Sequence, residues 1–217
     1  MTRRWWMTPL VLVSAHAGCA GRGNGDSRTP DAAERAANQV RATYASPDAV
    51  PAAAYTWTSA GGTIYVLVSV ESGIEGVIQA RADLWTTGPG SPTRLARSDV
   101  MPSASTIGAF AFGDLTGDGL PDLLGYVADS AGTAYPIFLP GARGMLIDEL
   151  EAAAGGYRLS AETESAPSVV TGPRGPCALE LWAEAPAPDF QPAGWRYLAL
   201  LAGGRLGPPT TAAPACR

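Results

Sequence analysis

From Asp114 to Asp122 the chain reads D-L-T-G-D-G-L-P-D. Oxygen-bearing side chains stand at the first, third, fifth and ninth positions: Asp114, Thr116, Asp118 and Asp122. Three carboxylates so close together repel one another without a cation, so their spacing predicts one. The chemistry fits Ca2+, which takes roughly six to eight hard oxygen ligands from a curled loop. Gly119, at the sixth position, supplies the backbone angle that a tight calcium loop needs. Leu120, at the seventh, offers its main-chain carbonyl. The expected metal site is therefore Asp114, Thr116, Asp118, the Leu120 carbonyl and Asp122. Its expected affinity is weak, on the order of 0.1–1 mM. Its expected role is to pin a β-turn. Three carboxylates on one loop make a closed cage, whereas a catalytic metal keeps a position open. The loop is not an EF-hand: Gly125 stands where that loop has its bidentate glutamate, and the flanks read as strands. The alternative is an acidic solvated turn without metal.

Other reactive groups are sparse. All fifteen basic residues are arginine, which excludes a Schiff-base lysine and a phosphate-loop lysine. The one histidine, His16, lies in an N-terminal targeting segment. The mature chain therefore lacks the commonest general base, and a histidine-dependent triad is excluded. Asp148, Glu149 and Glu151 form the other tight acidic group, read as the solvent face of a short helix. An enzyme would have to be a carboxylate-dependent hydrolase, and a non-enzymatic protein is expected. The net charge of −5 gives no basic surface for nucleic acid.

The N-terminus reads as an export address. Arg3 and Arg4 precede an apolar stretch from Trp5 to Val13, too short to span a bilayer. Small residues follow. Ala15-His16-Ala17 fits ordinary signal cleavage, while His16-Ala17-Gly18-Cys19 resembles a bacterial lipobox, with His16 where an aliphatic residue is usual. Cysteine counting favours lipidation of Cys19. There are three cysteines, and an odd number is awkward for an exported chain. With Cys19 lipidated, Cys177 and Cys216 are left to pair in an oxidising compartment. That bridge would close a loop of about 40 residues, worth roughly 4 kcal/mol at most in the chain-entropy model. Ala20 is not the aspartate that retains enteric lipoproteins at the inner membrane. The expected location is thus the cell envelope, as an outer-membrane lipoprotein.

The elements that position these groups follow from periodicity. The expected organisation is a signal peptide over 1–18, a lipid-attached tether over 19–29 and a helix over 30–45. A β domain over 55–207 and a tail over 208–217 follow. Thr29 is placed as the helix cap, with Pro30, Asp31 and Glu34 in the first turn. Ala33, Ala36, Ala37, Val40 and Tyr44 form its docking stripe. Thr63–Val70 is apolar on both faces, as in a central strand. Val77–Trp85 alternates, with Ile78, Ala80, Ala82 and Leu84 on the core side and Gln79, Arg81 and Asp83 opposite. Cys177–Glu184 alternates too, with Cys177, Leu179, Leu181 and Ala183 on one side. Further short strands separated by Gly/Pro turns make the fold all-β. Three segments align as strand-then-turn, starting at Thr63, Asp122 and Cys177, 59 and 55 residues apart. They predict about three degenerate units of short antiparallel strands, preceded by one helix.

The stretch "AFGDLTGDGLPDLLGY" resembles the calcium loop of integrin-type FG-GAP, or VCBS, repeats, commonly F-G-D-x-N-G-D-G-x-x-D-L. Phe112, Gly113, Asp114, Gly117, Asp118, Gly119, Asp122 and Leu123 match; Thr116 replaces an asparagine or aspartate. The match covers one loop and its flanking strands. The resemblance implies propeller-blade-like units, bound calcium and a non-enzymatic interaction module whose partner is a protein or glycan at the cell surface. Trp57, Trp85, Trp182 and Trp195 are the candidate contact aromatics, with core packing the expected role of most of them. The alternative is a structural envelope lipoprotein without a specific ligand.

Overall fold

The computed structural model describes residues 31–44, 49–74, 77–102, 104–129, 133–146, 150–156, 158–161, 165–184 and 193–216. The signal sequence, Cys19, Thr29, Pro30, Asp148 and Glu149 lie outside them, as does the side chain of Glu151. The described residues fold as three antiparallel sheets and one substantial helix. No helix of the described residues is long and apolar enough to cross a membrane.

Helix α1 spans Ala32–Arg41. Its N-cap is Asp31, one residue past the expected first-turn proline, and the Asp31 carboxylate accepts the Glu34 amide at 2.8 Å. An aspartate side chain reaches that amide directly, so it satisfies one of the orphan donors of the first turn. Ala36, Ala37 and Val40 are buried; Ala33, at the fringe of the expected stripe, is only partly covered.

Sheet A follows as a meander of β1 (Val50–Thr58), β2 (Ile64–Ile74), β3 (Val77–Thr87) and β4 (Thr93–Arg97), with β5 (Met101–Pro102) also against β3. Sheet B is β6 (Ala104–Gly113), β7 (Asp122–Asp129) and β8 (Ala134–Leu139). A short helix α2 (Leu150–Ala153) leads to sheet C. That sheet runs β10 (Ser168–Gly172), β11 (Gly175–Glu184), β12 (Gly194–Leu201), β13 (Arg205–Thr210), with β9 (Arg158–Ser160) also against β11. The β region thus begins at Val50 and runs to Thr210, wider than 55–207 at both ends. The three segments that align in sequence form β2, β7 and β11, each the second strand of its meander.

Three cores order the layers. Val66, Val68 and Val70 pack under α1. The opposite face of sheet A, with Leu67, Ala80, Ala82 and Leu84, meets Ile107, Leu123, Ile137 and Leu139 of sheet B. The other face of sheet B, with Leu124 and Phe138, meets Leu179, Leu181, Ala183 and Leu198 of sheet C. The order is helix, sheet A, sheet B, sheet C. Strand β2 is buried on both faces, as its unbroken apolar run demands. Strand β3 is more covered than simple alternation predicts. Asp83, on its polar side, is fully buried beside Tyr44, three residues past the end of α1, while Ile78 is exposed near the strand's start. Gly108 is required by its neighbour: a Cβ there would fall 2.2 Å from the Tyr126 ring.

Cys177 and Cys216 are disulfide-bonded, with Cα atoms 5.9 Å apart. The bridge returns the tail beyond Thr210 to the β10–β11 hairpin, where Cys216 lies against Gly172.

Candidate functional site

The acidic loop joins β6 to β7. Gly117 and Gly119 adopt left-handed backbone, φ 76° and 86°, so the chain curls twice within three residues. The curl aims main-chain amides at the carboxylates. Asp114 Oδ1 accepts the amides of Gly117 at 2.7 Å and Asp118 at 3.0 Å, and its Oδ2 accepts that of Gly119 at 3.0 Å. Asp118 Oδ1 accepts the Leu120 amide at 2.9 Å. Asp122, fully buried at the start of β7, accepts through Oδ2 the Leu115 amide, the Thr116 amide and the Thr116 hydroxyl, at 3.0, 3.0 and 3.1 Å. Its Oδ1 accepts the Gly141 amide at 2.9 Å, which ties the loop to the turn after β8. Leu115 dips into the core between sheets B and C. Burial pushes the Asp122 carboxyl up to about 6, against the opposing pull of the Gly141 and Thr116 hydrogen bonds; the Asp118 charge adds to the rise.

The donor chemistry of this loop suits a hard divalent cation. Its geometry is a hydrogen-bonded turn. Among the described residues no three His, Cys, Asp or Glu side chains converge as a metal-holding group, because Asp114 and Asp122 point at amides. Calcium would have to use the lone pairs those amides leave over, chiefly on Asp118, whose Oδ1 accepts a single amide.

The four candidate aromatics separate into two kinds. Trp57 stacks on Tyr65 at 5.5 Å and packs where Gly113 leaves room, at the entrance to the acidic loop. Trp85 donates its indole N–H to the Tyr44 hydroxyl at 2.8 Å, and the Arg94 guanidinium lies 5.8 Å from its ring centre. Both are committed within the fold. Trp182 and Trp195 are instead cross-strand partners on the face of sheet C turned away from sheet B. Their rings meet edge to face, 5.3 Å apart at 78°.

Strand register places a polar row beside this pair. Ser168, Glu180, Tyr197 and Thr210 lie opposite one another across four strands, on the same face as the two indoles. The Ser168 hydroxyl donates to Glu180 Oε2 at 2.8 Å. The Tyr197 phenol is raised above its ordinary value, first by its hydrogen bond to Glu180, then by burial and by the Glu180 charge. Consecutive residues on one face of a strand are about 7 Å apart, so the aromatic and polar rows are immediate neighbours.

Sequence reasoning named Trp182 and Trp195 but missed Glu180, Tyr197, Ser168 and Thr210. The readable signal was in β11: with Leu179 and Leu181 on the core side, Glu180 and Trp182 must share the other face. The pairing with β10, β12 and β13 is a tertiary fact that alternation does not carry. No family model matches the chain, and no curated protein or solved structure matches it either.

Proposed function

We propose that this protein is an exported, lipid-anchored binding module of the cell envelope, which contacts a protein or glycan partner through the outer face of sheet C and performs no catalysis. The observation that carries the reading is the placement of Trp182 and Trp195. They stand half-buried on the end sheet of the stack, beside a row of hydroxyls and a carboxylate. Large aromatics with polar neighbours are the residue types that dominate recognition surfaces. The other end of the stack has its sheet face covered by α1.

Export and the anchor rest on the sequence. The lipobox-like stretch ending at Cys19 supports attachment to an outer membrane, and the Cys177–Cys216 bond is what an oxidising compartment would produce. Calcium enters the proposal as a stabiliser of the β6–β7 turn. Asp114, Thr116, Asp118, the Leu120 carbonyl and Asp122 are the residues that would hold it, and its charge would offset repulsion that the amides offset only in part.

The test has two arms. Metabolic labelling with palmitate should mark the full chain in the membrane fraction, and Cys19→Ser should release it unlabelled. The full chain should then bind a member of a glycan array or a surface-protein panel, with affinity lost in Trp182→Ala and Trp195→Ala but kept in Trp57→Phe. Binding indifferent to all three substitutions would remove sheet C from the reading. A chain that binds nothing yet stays membrane-attached would be a structural lipoprotein.

A further inference from the structure

Two strands carry the same three-residue pattern. Strand β3 has Asp83-Leu84-Trp85 and β11 has Glu180-Leu181-Trp182. In each, the leucine enters a core between sheets, and the acid and indole stand on the sheet's outer face. What meets them differs. On sheet A, Asp83 accepts Arg97 Nε at 2.9 Å and Arg81 Nε at 3.4 Å. Trp85 has the Arg94 guanidinium near its ring, and the Tyr44 hydroxyl bridges the two, taking the Trp85 N–H and donating to Asp83 at 2.8 Å. Carboxylate and indole are thus answered by arginines, with the end of the helix segment laid over them.

On sheet C, Glu180 accepts the neutral hydroxyl of Ser168 at 2.8 Å and stands opposite Tyr197 across the β11–β12 pair. Trp182 is walled by Trp195. Among the described residues no helix packs on this face. A carboxylate beside an indole corner is a receptor for a cation, through Coulomb attraction and the negative face of the ring. A guanidinium suits it best, because it can stack on the indole while forking to the carboxylate. We propose that the outer face of sheet C docks an arginine-bearing segment of a partner protein, with the arginine seated between Trp182 and Glu180. This rests on the reading of sheet C as the binding face, and it supplies the partner's chemistry. The net charge of −5 works in the same direction, drawing a basic partner rather than an acidic one.

The test titrates the full chain with a blocked Gly-Arg-Gly-Arg-Gly peptide and with its citrulline counterpart, which keeps the shape and loses the charge. Binding is read from indole fluorescence. Cellohexaose and phosphatidylcholine vesicles are titrated alongside. The arginine peptide should bind saturably, and the citrulline peptide at least about tenfold more weakly. Glu180→Gln and Trp182→Ala should each weaken the arginine peptide by about tenfold, while Asp99→Asn, on an exposed loop, should not. Glu180→Gln conserves size, so it tests the charge without opening the packing around Trp182. Equal binding of both peptides, or indifference to Glu180→Gln, would overturn the arginine proposal. Binding of cellohexaose or vesicles that is lost in Trp182→Ala, without a preference for arginine, would also overturn it and leave the binding face standing. Failure of every probe on the parent chain would overturn the arginine proposal, and the glycan array and surface-protein panel would then decide the binding face by themselves.

Discussion

At the scale of single residues, the acidic loop shows how one spacing of oxygens supports two kinds of order. Nine residues put the carboxylates close together, and the two left-handed glycines turn main-chain amides toward them. Hydrogen bonds then hold the curl. Asp122 is its keystone, since it joins the loop, the Thr116 side chain and the turn after β8. The spacing and the glycines were legible in the sequence. The Gly141 amide, nineteen positions away, was not, because only the packed β6–β7–β8 meander brings it there. Calcium should still register on stability. With a dissociation constant of about 0.1–1 mM, 5 mM calcium should stabilise the fold by about 1–2 kcal/mol over a chelated sample. Asp118→Ala, which forfeits one exposed hydrogen bond to the Leu120 amide, should abolish the response at little cost to the baseline. Equal midpoints in thermal unfolding with calcium and with chelator would leave the loop as a turn without a cation. The Asp122 carboxyl adds a pH test. Its folded pKa of about 6 lies above the unfolded value of about 3.9, so the fold disfavours its ionised form. Its contribution is full below about pH 4 and is lost as pH rises through about 6, a change of up to about 3 kcal/mol. Calcium prefers the ionised carboxylate, so it should make that decline shallower. Urea unfolding at stepped pH reads both slopes. Parallel curves with and without calcium would uncouple the ion from Asp122.

At the scale of elements, alternation fixed which side chains share a face, and it failed where a second layer arrives. Val77–Trp85 reads as a half-buried strand because Arg81 and Asp83 look like solvent-facing residues. The fold places Asp83 out of water all the same, since Tyr44 lands on it and two arginines answer its charge. The helix itself was legible from its alanine and valine stripe, but its contact with a buried acid was not, since the two lie about forty residues apart. Burial and the Asp83 charge both raise the Tyr44 phenol well above its ordinary range, so it acts as a donor at every physiological pH. Tyr44→Phe removes that donor to a charged acceptor and strands the Trp85 N–H, at an expected cost of about 2–3 kcal/mol. Loss should appear first as fraying of α1. Helical circular dichroism and amide exchange over Ala32–Arg41 should change before the sheets do. A variant as stable as the parent, with α1 still protected, would show that the apolar stripe alone docks the helix.

At the scale of the whole molecule, the three aligned segments mark three meanders, and their common place as second strands gives the internal alignment physical content. A second strand is flanked on both sides within its sheet, so it demands β-branched and aliphatic residues most strongly, and that demand survives when turns and edge strands diverge. The stacking order was not legible, because it depends on which faces meet. The sheets are not equivalent in that order. Sheet A has a helix on one side, the outer face of sheet C carries no helix among the described residues, and sheet B has a sheet against each face. In β7 the run Asp122–Gly125 is buried without a break, with Leu123 in one core and Leu124 in the other. Opening sheet B therefore requires parting both intersheet cores, whereas opening an edge of sheet C parts only one. Native-state hydrogen exchange should reflect this difference. The β7 amides should exchange only through global unfolding, with a denaturant dependence equal to that of the whole chain. Those of β10 and β13, at the margins of sheet C, should exchange through smaller openings with a weak denaturant dependence. Should β13 prove as protected as β7, the stack would unfold as one cooperative block and the outer face of sheet C would be as rigid as the centre. A graded profile would instead locate the mobile end of the molecule at the face proposed to meet a partner.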